Sequence, residues 1–339
     1  MDHGSRFELL NVWLKRTLGV SDYAIAPASW DASFRCYYRV RLADASYIAM
    51  DAPPDKEDCG PFISVAAAFA KTGLNVPCVL EMDMEQGFLL LTDLGQQTYL
   101  EVLNQANYAR LYRDALDALF LLQAHSDDSG VLPEYGRELF MREMALFRDW
   151  FMNRQLGIAI DNKMTRDLEE AFESLAREAL AQPRVWVHRD YHSRNLMVSD
   201  THNPGVLDFQ DAVFGPVTYD LVSLLRDCYI NWPAQQVEAW LAGYYGRLVE
   251  AGMLPPDADL DRFRRWFDLM GVQRHLKAIG IFARLNLRDA KPAYLRDIPR
   301  TLNYVIEVYG RYPELAPLQR IVQQHVIPAM ENSDAFRRD

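Results

Sequence analysis

The feature that most restricts the fold is a change of hydrophobic period at Asp93-Leu94-Gly95. Upstream, Phe34 to Arg41 alternates strictly, with Phe34, Cys36, Tyr38 and Val40 on one side and Arg35, Tyr37, Arg39 and Arg41 on the other. A period of two predicts a half-buried strand. Further strands are expected at Ser46 to Asp51, Pro77 to Met82 and Gly87 to Thr92, with a short helix at Pro61 to Lys71 that starts on proline. An opening helix is expected from Phe7, Leu10, Leu14 and Leu18 at helical spacing. Downstream the texture turns helical: Tyr108 to His125, Glu138 to Gln155, Thr165 to Leu180, and later stretches around Tyr219, Val237, Phe263, Thr301 and Leu318. Only 184–214 breaks this run, with short apolar segments and polar turns. A small β-rich part followed by a larger helical part is an α+β arrangement, divided here as 1–93 and 94–339.

At 339 residues the chain exceeds one ordinary core. Its 36 Lys and Arg against 47 Asp and Glu leave a net charge of −11, which opposes unspecific binding to nucleic acid or anionic lipid. A phosphate-bearing ligand then needs a metal or a few well-placed arginines. Arg262-Phe263-Arg264-Arg265-Trp266 is basic and aromatic, but helical spacing puts Phe263, Trp266 and Phe267 on one apolar face and the arginines toward solvent or neighbouring acids. Apolar runs such as Phe88 to Leu91 are far too short to cross a membrane, and the first residues lack a signal-peptide pattern, so a cytoplasmic protein is expected. Cys36, Cys59, Cys78 and Cys228 are scattered without metal or redox spacing and read as buried thiols.

The chemistry concentrates in Val185-Trp186-Val187-His188-Arg189-Asp190-Tyr191-His192-Ser193-Arg194-Asn195 and, further on, Leu207-Asp208-Phe209-Gln210-Asp211. Phosphoryl transfer requires a carboxylate at the attacking hydroxyl and hard oxygen ligands for Mg²⁺ on the nucleotide phosphates. Asp190 supplies the first, as catalytic base, and Asn195 with Asp208 the second. His188, Asp190 and His192 also alternate as a transition-metal site would. The other histidines, His3, His125, His202, His275 and His325, stand apart, so that reading lacks its remaining ligands.

His-Arg-Asp, four residues, Asn, then Asp-Phe resembles the catalytic and metal loops of protein kinases, and more closely the aminoglycoside phosphotransferase and choline kinase branch of that superfamily. The resemblance implies a protein-kinase-like two-lobed fold that uses ATP and Mg²⁺, with ATP in the cleft and its adenine near 91–94. It also implies that Asp220, in Tyr219-Asp220-Leu221, and His188 support the catalytic loop. Asp31 to Arg35, Met50 to Pro54, Leu91 to Gly95 and Leu207 to Ala212 are similar to bacterial kinases of the anomeric hydroxyl of N-acetylmuramate and N-acetylglucosamine, which serve cell-wall sugar recycling. An amino sugar is the substrate so implied, with no nucleic acid, membrane or obligate protein partner. A kinase of another small alcohol, such as an aminoglycoside or choline, and a nucleotide-binding pseudokinase remain the alternatives.

Two departures matter. Tyr47-Ile48-Ala49-Met50 ends in methionine where the wider pattern has a phosphate-binding lysine, and Trp30-Asp31-Ala32-Ser33 lacks the glycines of a phosphate loop. The nucleotide contacts are therefore assigned to Ser33, Arg35, Met50, Leu91, Thr92 and Leu94, with phosphate taken by backbone amides near Ser33 or by Arg35, Arg39 or Arg41. Glu143 is the polar residue of its helix selected as a sugar contact, a plain surface glutamate being the alternative. Arg274 and His275, beside Lys277, and Asp211 complete the substrate candidates.

Overall fold

The computed structural model describes residues 3–30, 34–127 and 130–336. In chain order its first elements are α1 (His3–Leu18), β1 (Ala24–Trp30), β2 (Cys36–Arg41), β3 (Ser46–Asp51), α2 (Gly60–Lys71), β4 (Val79–Asp83), β5 (Phe88–Thr92), α3 (Tyr99–Val102) and α4 (Tyr108–Ala124). Then come α5 (Arg137–Leu146), a π-helical continuation (Phe147–Gln155), α6 (Asn162–Leu180), β6 (Arg184–Val187), β7 (Leu196–Met197), β8 (Gly205–Val206) and β9 (Val213–Pro216). The last part holds α7 (Tyr219–Leu225), α8 (Ala234–Glu250), α9 (Leu260–Asp289), α10 (Ile298–Tyr309), α11 (Ala316–Ile321) and α12 (Ile327–Glu331). None of the described helices is long and apolar enough to cross a membrane.

The chain forms two compact units, 1–122 with 194–212, and 123–193 with 213–339. That division differs from the change of texture after Asp93. Helices α3 and α4 stay with the sheet, and the β7–β8 hairpin returns to it.

The first unit is built on an antiparallel sheet of order β1-β2-β3-β5-β4. Leu10, Trp13 and Leu14 of α1 pack on Cys36, Tyr38, Val40, Ala49, Phe88 and Leu90, so the alternation in β2 selects the face that meets the helix. Phe34 departs from that alternation: it precedes the strand and is 58% exposed, with Lys56 over its ring. β1 is an edge strand that its sequence conceals, because Ala-Ile-Ala-Pro-Ala-Ser-Trp carries proline and little apolar bulk. Phe62 and Phe69 of α2 approach the Phe209 ring at 5.0 and 6.0 Å, which seats the segment that follows Asp208. The amides of Val198 and Val206 donate to the carbonyls of Gln97 (2.8 Å) and Asn75 (2.7 Å), fixing the β7–β8 hairpin in the same unit. Gly95 has φ +118°, and a Cβ there would lie 2.8 Å from the Val198 carbonyl oxygen. Only glycine lets the chain pass the hairpin so closely.

The second unit is organised around α9, whose 30 residues are buried on most sides by α5, the π-helical segment, α6, α7 and α10. Gly280 permits the closest crossing, since a Cβ would sit 2.4 Å from the backbone of Leu146. Phe263, Trp266 and Phe267 are buried as their spacing predicts, while Arg262, Arg264 and Arg265 pair with Asp257, Glu238 and the acids Glu178 and Glu314. The cysteines are free, and Cys36, Cys59 and Cys228 are buried; Cys78, against expectation, is exposed.

Candidate active site

In the second unit, β6 delivers the chain into a loop held by two buried acids. Arg189 adopts φ 77°, a left-handed turn, and the amides of His188 and Arg189 donate to the two oxygens of Asp220 at 2.6 and 3.0 Å. The Asp190 amide donates to Nδ1 of His188 at 3.2 Å, so that nitrogen is the acceptor and Nε2 carries the proton. Downstream, Asp227 accepts from the Ser193 amide (2.9 Å) and hydroxyl (2.5 Å). The loop is thus fastened on both sides of Asp190, and the support expected of His188 and Asp220 has a geometric form. Asp227 escaped the sequence reading because nothing in its local spacing marks it.

Asp190 is half-buried among cations. Burial by itself would raise its carboxyl, but Lys277, His192, Arg274 and Arg189 bring it down to about 2. Asp220 has the opposite fate: burial pushes it up to about 7, against the hold of its two amide donors.

Glu143 organises these cations and is no surface residue. It is 5% exposed, accepts from Lys277 Nζ at 3.2 Å and Gln273 at 3.3 Å, and also pairs with Arg189 and the Tyr135 hydroxyl. Burial opposes its charge, yet Lys277 and Arg189 keep its carboxyl below the ordinary value. Lys277 in turn donates to the Tyr219 hydroxyl at 3.0 Å. Arg189, Tyr135 and Tyr219 thereby join a network that local sequence could not disclose.

The substrate candidates on α9 are buried. Arg274 is 4% exposed and lies 3.6 Å from the Cys228 sulfur, acting on Asp190 through its charge. His275 is fully buried, stacks on Tyr304 at 4.8 Å and meets the Arg226 carbonyl at 2.9 Å. Burial and the Arg274 charge depress its imidazole to about 3, so it is a neutral core side chain with no surface for a ligand.

In the first unit, the hairpin and the turn after it bring Asn195 and Asp208 together. The Leu207 amide donates to the Asn195 carbonyl at 2.9 Å, and the side-chain amide of Asn195 lies 3.3 Å from Asp208 Oδ2. Gln210 donates to Asp208 Oδ1 at 2.8 Å, and Asp208 itself has φ 63°. Rotation of the Asn195 amide would turn its oxygen beside the carboxylate and offer two hard donors. No cluster of three or more His, Cys, Asp or Glu exists among the described residues. Two oxygens suit Mg²⁺, which retains water and takes its other ligands from phosphate. Asp211 is exposed in this unit.

Met50 is fully buried in register with Tyr37 and Leu89, and α2 carries no acidic residue, so no lysine–glutamate pair links sheet and helix there among the described residues. Leu91 is buried, Thr92 accepts from the Cys78 amide at 2.9 Å, and Leu94 packs on Gly205. Ser33 lies outside the described residues. The arginine face is largely committed. Arg39 grips Asp93 at 2.6 and 3.1 Å and the Gly95 carbonyl at 2.6 Å, and Arg41 reaches Gln96 at 3.2 Å. Arg35 is buried against Glu57 at 3.1 Å. Arg39 therefore ties the sheet to the 93–95 turn, which leaves it no free charge for phosphate.

The model for the phosphotransferase enzyme family matches residues 24–267. The chain is 47% identical over 333 residues to an N-acetylmuramate/N-acetylglucosamine kinase of Pseudomonas aeruginosa, covering 95% of this chain and 97% of that one. To the protein of the same name in Neisseria meningitidis it is 44% identical over 322 residues, with coverage of 94% and 95%. Among solved structures, choline kinase from Streptococcus pneumoniae is similar at TM-score 0.61 and 13% identity, over 88% of this chain and 98% of that one. An ADP-bound aminoglycoside phosphotransferase is similar at 0.57 and 15%, over 89% and 98%. These likenesses establish the protein-kinase-like α+β fold.

Proposed function

The chain belongs to the phosphotransferase enzyme family, and from that premise we propose that it transfers the γ-phosphoryl group of ATP to the anomeric hydroxyl of N-acetylmuramate and N-acetylglucosamine. Membership makes it a kinase with a hydroxyl acceptor. Identity of 44 to 47% over nearly the full length of relatives bearing that name supports the sugar. The observation that carries the chemistry is the loop pinned on both sides of Asp190 by Asp220 and Asp227. We include a cytoplasmic setting in the reading, where ATP is available.

Asp190 accepts a hydrogen bond from the acceptor hydroxyl and aims its oxygen at phosphorus. A carboxyl at about 2 is a weak base, so it takes the proton late, once bonding to phosphorus has made the hydroxyl acidic. That timing suits a loose transition state, in which positioning outweighs early deprotonation. Arg189, Lys277 and Arg274 keep Asp190 charged, and Glu143 holds the first two in place. Asn195 and Asp208 would hold Mg²⁺, which when bound neutralises phosphate charge and orients the nucleotide. With Met50 in the lysine position, backbone amides and an ion held by Asn195 and Asp208 would supply more of the phosphate stabilisation.

Phosphorus NMR of the product from each sugar and ATP tests the reading. A phosphate coupled to the single anomeric proton is expected. Coupling to the methylene pair of carbon six, or turnover of choline or an aminoglycoside with neither sugar consumed, would overturn it.

A further inference from the structure

Several partly buried arginines in this chain have anions. Arg6 pairs with Asp51, Arg35 with Glu57, Arg39 with Asp93, Arg189 with Glu143 and Arg226 with Asp268. Arg284 of α9 does not. It is half-buried, and among the described residues it has neither an ion pair nor a hydrogen bond, its Nε being buried without a partner. The nearby Asp289 is taken by Arg288 at 2.8 and 2.9 Å. Burial and the Arg288 charge push the Arg284 guanidinium below its ordinary value, and the charge of Asp289, already held by Arg288, offsets them only in part.

Its place on the helix is informative. Arg284 follows Lys277 by seven residues, which on an α-helix is nearly the same face and about 10 Å along the axis. Lys277 acts on Asp190 at one end of this stripe. Half-buried Ile281 lies between the two. One flank of α9 is closed where Gly280 meets Leu146, and the other where Arg274 meets Cys228 and Phe282 meets Tyr229 at 6.2 Å. The 277–281–284 stripe runs from the catalytic carboxylate to an unmatched guanidinium, over a length that fits one substituted sugar ring with a hydrogen bond at each end.

We propose that Arg284 is the carboxylate-recognising residue of the acceptor site, pairing with the acid side arm of an N-acetylmuramate-type sugar whose anomeric hydroxyl lies at Asp190. The inference rests on the acceptor proposed above. N-acetylmuramate differs from N-acetylglucosamine by a lactyl ether that ends in a carboxylate, and guanidinium binds that group through two parallel hydrogen bonds. The neutral sugar makes no use of the charge.

Steady-state kinetics of the parent, Arg284→Gln and Arg284→Lys on both sugars decides it, with matched melting curves as the check on folding. For Arg284→Gln the ratio of kcat/KM, acid over neutral sugar, should fall about tenfold or more, mostly through KM for the acid. Arg284→Lys should recover part of that ratio. An equal fall on both sugars would assign Arg284 to packing, and an unchanged ratio would remove it from the site; either result overturns the proposal. A parent that phosphorylates neither sugar would defeat the acceptor reading itself, and this one with it.

Discussion

Asp190 remains charged because Lys277, His192, Arg274 and Arg189 act on it, and in the proposed reaction that charge serves the acceptor hydroxyl. Asp190→Asn keeps size and polarity but loses the acceptor for the hydroxyl proton, so kcat should fall by about 10²- to 10⁴-fold. Calorimetric affinity for Mg-ATP should barely move; activity within a few-fold of the parent would take Asp190 out of its role. Asp220 calls for a different measurement. Its carboxyl is raised from 3.8 to about 7, so in that interval the folded chain holds a proton that the unfolded chain has released. Its contribution to stability is full below the lower value and is lost as pH rises through the upper one. Asp220→Asn should remove this component from the dependence of melting temperature on pH, and should lower kcat by disturbing the His188 and Arg189 amides. Identical slopes in parent and variant would show that Asp220 does not titrate there. At this scale the sequence proposes Asp190, Asn195 and Asp208 because phosphoryl transfer fixes both types and spacing, and the structure pins the loop of Asp190 and sets Asn195 beside Asp208. Glu143 and His275 were not legible in this way, since an isolated polar residue in a helix does not disclose whether its partners are inside.

At the scale of elements, alternation identified β2, apolar residues at helical spacing identified α1, and the proline at its start identified α2. β1 lacks apolar bulk, and α9, buried nearly all round, has little periodicity to read. The stretch predicted as one helix from Glu138 to Gln155 becomes π-helical at Phe147, a change of hydrogen bonding that side-chain pattern does not encode. The turn after β5 matters because it supports the hairpin that connects Asn195 to Asp208, the proposed metal ligands. Gly95→Ala would place a Cβ 2.8 Å from the Val198 carbonyl at φ +118°, three residues from Asn195. A loss of about 1–3 kcal/mol in chemical denaturation is expected, together with weaker Mg-ATP binding. A stable variant with loosened nucleotide affinity would still place the hairpin in the site, whereas unchanged stability and affinity would contradict the close approach.

For the whole molecule, the change of period after Asp93 separated sheet from helix but could not show that 194–212 belongs with the sheet, because strands of two residues have no period. This places Asn195 and Asp208 in one compact unit and Asp190 in the other, which makes their contributions separable by experiment. Ligand that binds only the folded chain stabilises it by RT ln(1 + [L]/Kd), about 2.7 kcal/mol at a hundredfold excess over Kd. Mg-ATP should therefore raise the melting temperature of the parent more than ATP with chelator. Asp208→Ala should lose the magnesium-dependent part of that rise while keeping its own unliganded melting temperature near the parent's, because Asp208 is half-buried and outside the apolar core. Asp190→Asn should keep the whole rise. A full magnesium effect in Asp208→Ala would deny that residue its proposed metal, and loss of the effect in Asp190→Asn would move the proposed role of Asp190 from the acceptor to the nucleotide.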